Sequence, residues 1–130
     1  MTGLDTNVLV RYLTQDHPDQ SRKADSHMER AASHGERCII NSVVLCELVW
    51  VLRGAYGYEK DDLCRVLEKL LSTVEFLIED KDLAYRALDD FRSGGDFADH
   101  LIGWRNRKAG CDTTLTFDRN LKSSGCFMVL

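Results

Sequence analysis

Apolar residues run along this chain in two rhythms. Short apolar runs, such as Cys38-Ile39-Ile40 and Phe76-Leu77-Ile78, alternate with stretches where apolar residues recur every third or fourth position, as at Leu63, Val66, Leu67, Leu70 and Leu71. The first rhythm suits buried strands and the second suits one face of a helix. Breakers and caps then predict the elements. A strand over 2–5 leads to a helix over 8–13, with Thr6 and Asn7 as its capping side chains. A helix runs from about 19 to 33, with Pro18 at its start and Gly35 at its stop. A strand at 38–41 is followed by an apolar helix that Ser42 caps and that Gly54 and Gly57 break. A helix opens at Lys60, and a strand follows at 74–78. Helices over 80–92 and 96–108, closed by Gly94-Gly95 and Gly110, precede strands at 113–117 and 126–130.

Strands alternating with helices at this spacing imply right-handed crossovers, hence an α/β fold with a mostly parallel sheet covered on both faces. With 130 residues, 44% of them hydrophobic, residues 1–130 are expected to form one domain that buries its own core. Ligands of such folds bind beyond the carboxyl ends of the strands. There is no apolar run of 18 residues and the start has no signal-peptide pattern, so a cytoplasmic protein with no membrane role is expected. The five cysteines are odd in number and widely spaced, which points to buried free thiols.

The candidate chemistry is acidic. Glu47 is the only charge in the run from Val43 to Leu52, so its carboxylate is expected in an apolar setting with a partner from elsewhere. Asp5 and Asp118 each end a predicted strand, and Asp96 and Asp99 open a predicted helix three residues apart. Each has a plainer explanation as a cap or a dipole partner; Asp118, for example, can cap a turn through Asn120. Together, four carboxylates meeting at one place would hold a hard divalent cation. Thr6 and Asn7 could orient Asp5, and Thr116 could add a hydroxyl. His100 turns away from Asp99 by helical geometry and reads as structural. The net charge of −4 argues against a general polyanion binder, although Arg105, Arg107, Lys108, Arg119 and Lys122 are grouped where phosphates could bind.

The ordered set Asp5-Thr6-Asn7-Val8-Leu9, Asn41-Ser42 to Glu47, Asp96-Phe97-Ala98-Asp99-His100-Leu101-Ile102 and Leu115-Thr116-Phe117-Asp118 resembles the PIN-domain ribonucleases, in particular the VapC toxins of toxin–antitoxin pairs. The resemblance covers essentially the whole chain. It implies a three-layer α/β/α sandwich and a Mg²⁺- or Mn²⁺-dependent endoribonuclease. Asp5, Glu47, Asp99 and Asp118 would be catalytic, with Asp5 and Asp99 as metal ligands and Glu47, Asp118 and Asp96 as further candidates. It also implies an RNA substrate, a homodimer and an antitoxin laid across the active-site groove, for which Trp50, Leu52, Tyr56 and Tyr58 are lining candidates. The helix after Asp99 departs from the usual pattern, with Gly103 and Trp104 where small, alanine-like residues are more common. A phosphoacceptor receiver domain would need an acidic pair after the first strand, and a haloacid-dehalogenase phosphatase would need a second acid at Asn7. The surviving alternative is a PIN-fold RNA- or protein-binding module without nuclease activity. The choice of RNA is not written in the sequence.

Overall fold

The structure is a computed structural model that describes residues 1–130, and it divides into two compact units, Met1–Glu79 and Asp80–Leu130. In the first, β1 (Thr2–Gly3), α1 (Thr6–Thr14), α2 (Pro18–Ser33), β2 (Cys38–Ile40), α3 (Ser42–Gly54), α4 (Lys60–Ser72) and β3 (Phe76–Ile78) follow in order. The three strands form one parallel sheet in the order β1-β2-β3, with Cys38 opposite both Thr2 and Phe76. Both outer residues of β2 and of β3 are buried, as expected for a strand covered on two faces.

The helices bury the faces that their spacing marks out. α4 buries Leu63, Cys64, Leu67, Leu70 and Leu71, and α3 buries Ser42, Val44, Leu45, Leu48, Val49 and Leu52. Caps lie one residue earlier than the sequence suggests, twice over. Asp5, not Thr6 or Asn7, is the N-cap of α1, and Asn41, not Ser42, is the N-cap of α3. Each follows a strand and keeps its extended backbone, Asp5 at φ −88°, ψ 171° and Asn41 at φ −84°, ψ 170°. Each accepts the N–H three residues on, at 3.0 Å from Val8 and 2.9 Å from Val44. The last extended residue holds the cap because the cap must still be outside the helix.

The second unit contains α5 (Lys81–Ser93), α6 (Phe97–Lys108), β4 (Thr114–Thr116), a 3-10 turn (Arg119–Leu121) and β5 (Phe127–Val129). α5 and α6 pack together, with Phe91 and Phe97 edge to face at 6.2 Å. β4 and β5 pair in parallel, Leu115 opposite Met128, as a two-stranded ladder. All paired strands are therefore parallel, as the alternation of elements predicts. Gly103 has a packing reason: a Cβ there would meet Phe127 Cε2 at 2.6 Å and Cys126 Cβ at 2.9 Å. The glycine lets α6 lie directly against the segment that enters β5. Trp104 is held on the other side, donating to Asp90 at 2.7 Å with the Arg86 guanidinium over its ring.

All five cysteines are free, and three of them, Cys38, Cys64 and Cys126, are buried. Cys111 is exposed, contrary to the expectation of buried thiols; it lies in the turn beyond α6, where no apolar face covers it. No helix is long and apolar enough to cross a membrane.

Candidate active site

In the first unit the acids stand where strands give way to helices. Asp5 follows β1, and its Oδ1 is committed to capping α1. It opens on a cleft of about 440 Å³ bounded also by Asn7, Arg11, Lys23 and His27. The cations of this cleft are engaged locally: Arg11 contacts Asp16, Gln20 and Tyr56, and Lys23 reaches Asp19.

Glu47 is exposed, which corrects the expectation of an apolar setting. α3 needs only one side to bury its six inner residues, so Val43, Glu47 and Trp50 fall on the outer face. A continuous apolar run hides this facing when read linearly. The partner of Glu47 is a hydroxyl: buried Thr6 donates to its Oε1 at 2.9 Å. Thr6 thus fixes Glu47, rather than Asp5 as expected, and ties the first turn of α1 to α3. A further acid at this sheet edge escaped the sequence reading. Glu79, just after β3, accepts the Ser42 N–H at 3.2 Å and so serves an otherwise open donor at the start of α3. Only the strand register, which aligns Ile40 with Ile78, could have revealed it.

The second unit gathers the other acids. Asp99 lies in the first turn of α6 and Asp96 is its N-cap residue. Burial pushes the Asp99 carboxyl above its ordinary range, and the charges of Asp96 and Asp118 push it further, against a smaller opposing effect of His100. Asp118 is held at the end of β4 from both sides. Its N–H donates to Thr116 Oγ1 at 3.0 Å, and its Oδ1 accepts the Asn120 N–H at 2.9 Å. The turn-capping role foreseen for Asp118 is present, and it coexists with a charge close enough to act on Asp99. Thr116 spends its hydroxyl on the Asp118 backbone, so it positions that acid.

His100 is buried, its Nε2 2.6 Å from the Gly94 carbonyl, which fixes it in a structural role. The basic residues in the last turn of α6 are also used locally. Lys108 and Arg105 both pair with Asp80, and Arg107 donates to the Gly125 carbonyl. Those pairings favour the helix-end explanation of the cluster over phosphate binding. No three His, Cys, Asp or Glu side chains are gathered into a ready metal cage.

A family model described as PIN domain matches residues 4–124. The chain belongs to the PIN-domain family. It is also similar to a VapC ribonuclease of Aquifex aeolicus (strain VF5), 28% identical over 126 residues, covering 96% of this chain and 93% of that protein. No solved structure gives a significant match. The PIN match spans Asp5, Glu47, Asp96, Asp99 and Asp118 alike. Within the two units, the structure joins Glu47 to Thr6 and sets Asp96 and Asp118 against Asp99.

The groove candidates divide. Leu52 is core at 1% exposure, whereas Trp50 is 53% exposed. Tyr56 belongs to a polar network, its hydroxyl 2.6 Å from Asp16 and accepting from Arg11. Tyr58 packs edge to face against Tyr56.

Proposed function

We propose that this PIN domain is a Mg²⁺- or Mn²⁺-dependent endoribonuclease that hydrolyses RNA phosphodiester bonds as the toxin of a toxin–antitoxin pair. The observation that carries the reading is the raised Asp99 carboxyl, opposed by Asp96 and Asp118. A protein that holds like charges together against burial retains them for a ligand that reverses the repulsion. Family membership and the similarity to a VapC ribonuclease support the same reading. Residues 1–130 would act as one domain.

The donor set fits a hard divalent cation, because every candidate is a carboxylate oxygen and none is a thiolate or imidazole. Asp5 and Asp99 would be its ligands, with Glu47, Asp118 and Asp96 as further candidates, and Asp5, Glu47, Asp99 and Asp118 would carry catalysis. When bound, the ion supplies a water of lowered pKa and neutralises charge on the phosphoryl oxygens. The chain's own contributions are positional. Val8 N–H fixes one oxygen of Asp5, and Thr6 fixes Glu47. Thr116 and Asn120 fix Asp118. The ionised acids can accept hydrogen bonds from ordered waters and orient one toward the phosphorus.

Partners follow from the same reading: an RNA substrate, a cognate antitoxin and a second copy of the chain, all in the cytoplasm. The test is cleavage of single-stranded RNA with and without Mg²⁺ or Mn²⁺, together with Glu47→Gln. Chelation and the substitution are each expected to abolish cleavage with the fold intact. Undiminished cleavage in excess chelator removes the metal. Full activity in Glu47→Gln removes the acid assignment, and absence of any cleavage favours a binding module that has kept the fold without the activity. Expression alone should slow growth, and co-expression with an adjacent small gene should restore it.

A further inference from the structure

The cleft beside Asp5 offers more than the acid. Its volume of about 440 Å³ lies within the roughly 300–1,000 Å³ of pockets that take small ligands. Buried Leu4 and Ala24, together with Val8, give it apolar walls, and Lys23 and His27 of α2 stand along it. Apolar walls with a few polar groups set among them suit a flat aromatic ligand that carries hydrogen-bonding edges.

Three observations mark polar groups that the fold itself leaves to such a ligand. The first is a strand edge. β1 ends the three-stranded sheet, and the N–H groups of Thr2 and Leu4 donate to the carbonyls of Arg37 and Ile39 at 3.4 and 3.0 Å. Gly3 between them therefore turns its N–H and carbonyl to the opposite edge, where no strand of this sheet takes them. A donor and an acceptor side by side match the pairing edge of a nucleobase. The second is His27, which lines the cleft and whose Nε2 is buried with no hydrogen-bond partner. The third is charge at the rim. Asp19 is shared by Arg22 at 2.6 Å and Lys23 at 3.5 Å, two cations on one carboxylate, so positive charge is left over.

We infer that this cleft is a nucleotide subsite, in which the unpaired nucleotide next to the scissile phosphate lays its base among Leu4, Val8 and Ala24. The pairing edge of the base meets Gly3, the His27 nitrogen adds a further hydrogen bond, and the outer phosphate reaches Lys23. The inference rests on the nuclease reading above, which sets the scissile phosphate near Asp5, and names how that site holds its substrate. A base within a duplex has its pairing edge occupied, so the subsite selects unpaired RNA. An added peptide strand is the poorer occupant, because strand addition uses a run of alternate open residues and the two residues of β1 offer one.

Binding is read from backbone amide NMR shifts of the intact chain in excess chelator, with nucleoside monophosphates as probes and ribose phosphate as the control without a base. The monophosphates should move the amides of Gly3, Leu4 and Ala24, and ribose phosphate should move them far less. In cleavage assays on unpaired RNA, Lys23→Glu and His27→Phe should each raise KM by about 3- to 10-fold, the worth of one hydrogen bond, with kcat changed far less. His27→Phe removes an unpartnered nitrogen and keeps a flat ring, so that variant should melt no lower than wild type, which separates lost binding from a damaged fold. Equal shifts with ribose phosphate, or an unchanged KM in both variants, overturns the inference and leaves the nuclease reading standing. Base-dependent shifts in a protein that cleaves no RNA keep the subsite and remove the nuclease. Shifts of the same amides by a copurifying antitoxin, and by none of the monophosphates, assign the cleft to that protein and overturn the inference.

Discussion

Replacing Asp99 by Asn should abolish cleavage and stabilise the metal-free protein. Burial is the first cause of the raised Asp99 carboxyl, followed by the charges of Asp96 and Asp118. Asn keeps the size and removes the charge. Each relieved like-charge pair returns about 0.2–0.5 kcal/mol at helix-surface spacing, approaching about 1 kcal/mol for charges 4 Å apart in a water-like medium. Relief of desolvation adds to this, while loss of an acid from the first turn of α6 costs about 0.3–1 kcal/mol in dipole interaction. Asp99 is only partly buried, so solvent screening trims both sides of the balance. The net is a gain of roughly 1 kcal/mol, or about 4 °C in Tm for a chain of this length.

The pH dependence has a definite sign. A carboxyl raised in the folded state binds its proton more tightly there than in the unfolded chain, so wild-type stability falls as pH rises from about 3.9, the ordinary Asp value, through the folded value. Asp99→Asn lacks that loss. Melting curves in chelator should therefore nearly coincide at the acid end and separate toward pH 7, with the variant higher. Millimolar Mg²⁺ should then raise wild type more than the variant. A variant less stable than wild type at pH 7, with the gap widening as pH rises, would show that Asp99 serves the helix and would refute the reasoning.

Thr6→Val should keep the fold but lower kcat by about 10- to 100-fold through release of Glu47, with Thr6→Ser restoring activity; equal rates in all three chains would detach the hydroxyl from function. Gly103→Ala should destabilise by about 1–3 kcal/mol through overpacking, read from urea midpoints, because the Cys126 Cβ at 2.9 Å cannot rotate away; a neutral result would mean that β5 is loosely seated. The Tyr56 and Thr14 hydroxyls are the main influences holding the Asp16 carboxyl below its ordinary range, with Arg11 adding to them. Tyr56→Phe should raise that value in an NMR titration, and the stability that the network adds above the ordinary Asp range should be lost at a higher pH than in wild type as the solution is acidified. An unmoved Asp16 titration would remove Tyr56 from the network.

The helices were legible because their signals are local. Periodicity located the buried face of α4, and glycines at 35, 57, 94 and 110, all with positive φ, marked the turns. Pro18 stands at the first helical position of α2, where its missing N–H costs nothing. Caps were misplaced at Asp5 and Asn41 for a reason that composition cannot give. Ser, Thr, Asn and Asp cap comparably well, so where two stand in succession the deciding factor is which backbone is still extended. Strand pairing is set by contacts distant in sequence, so the division into a three-stranded and a two-stranded ladder was not written in any one segment.

The sequence groups the acids into one set, and the structure corrects the surroundings expected for one of them, Glu47. Glu47 drew attention as a charge in an apolar run, yet the run is apolar because α3 is buried on one side and carries Val43 and Trp50 in water on the other. The expectation of burial was wrong. Asp99 shows the converse. Its dipole role in the first turn of α6 predicts a comfortable charge, but burial and two facing acids override that benefit. Where local capping logic explains an acid fully, as the Asn120 N–H does for one oxygen of Asp118, sequence and structure agree on a structural use. Where the surroundings oppose the charge, as burial, Asp96 and Asp118 do for Asp99, no capping or dipole role accounts for the acid, and the proposed cation site supplies the missing reason.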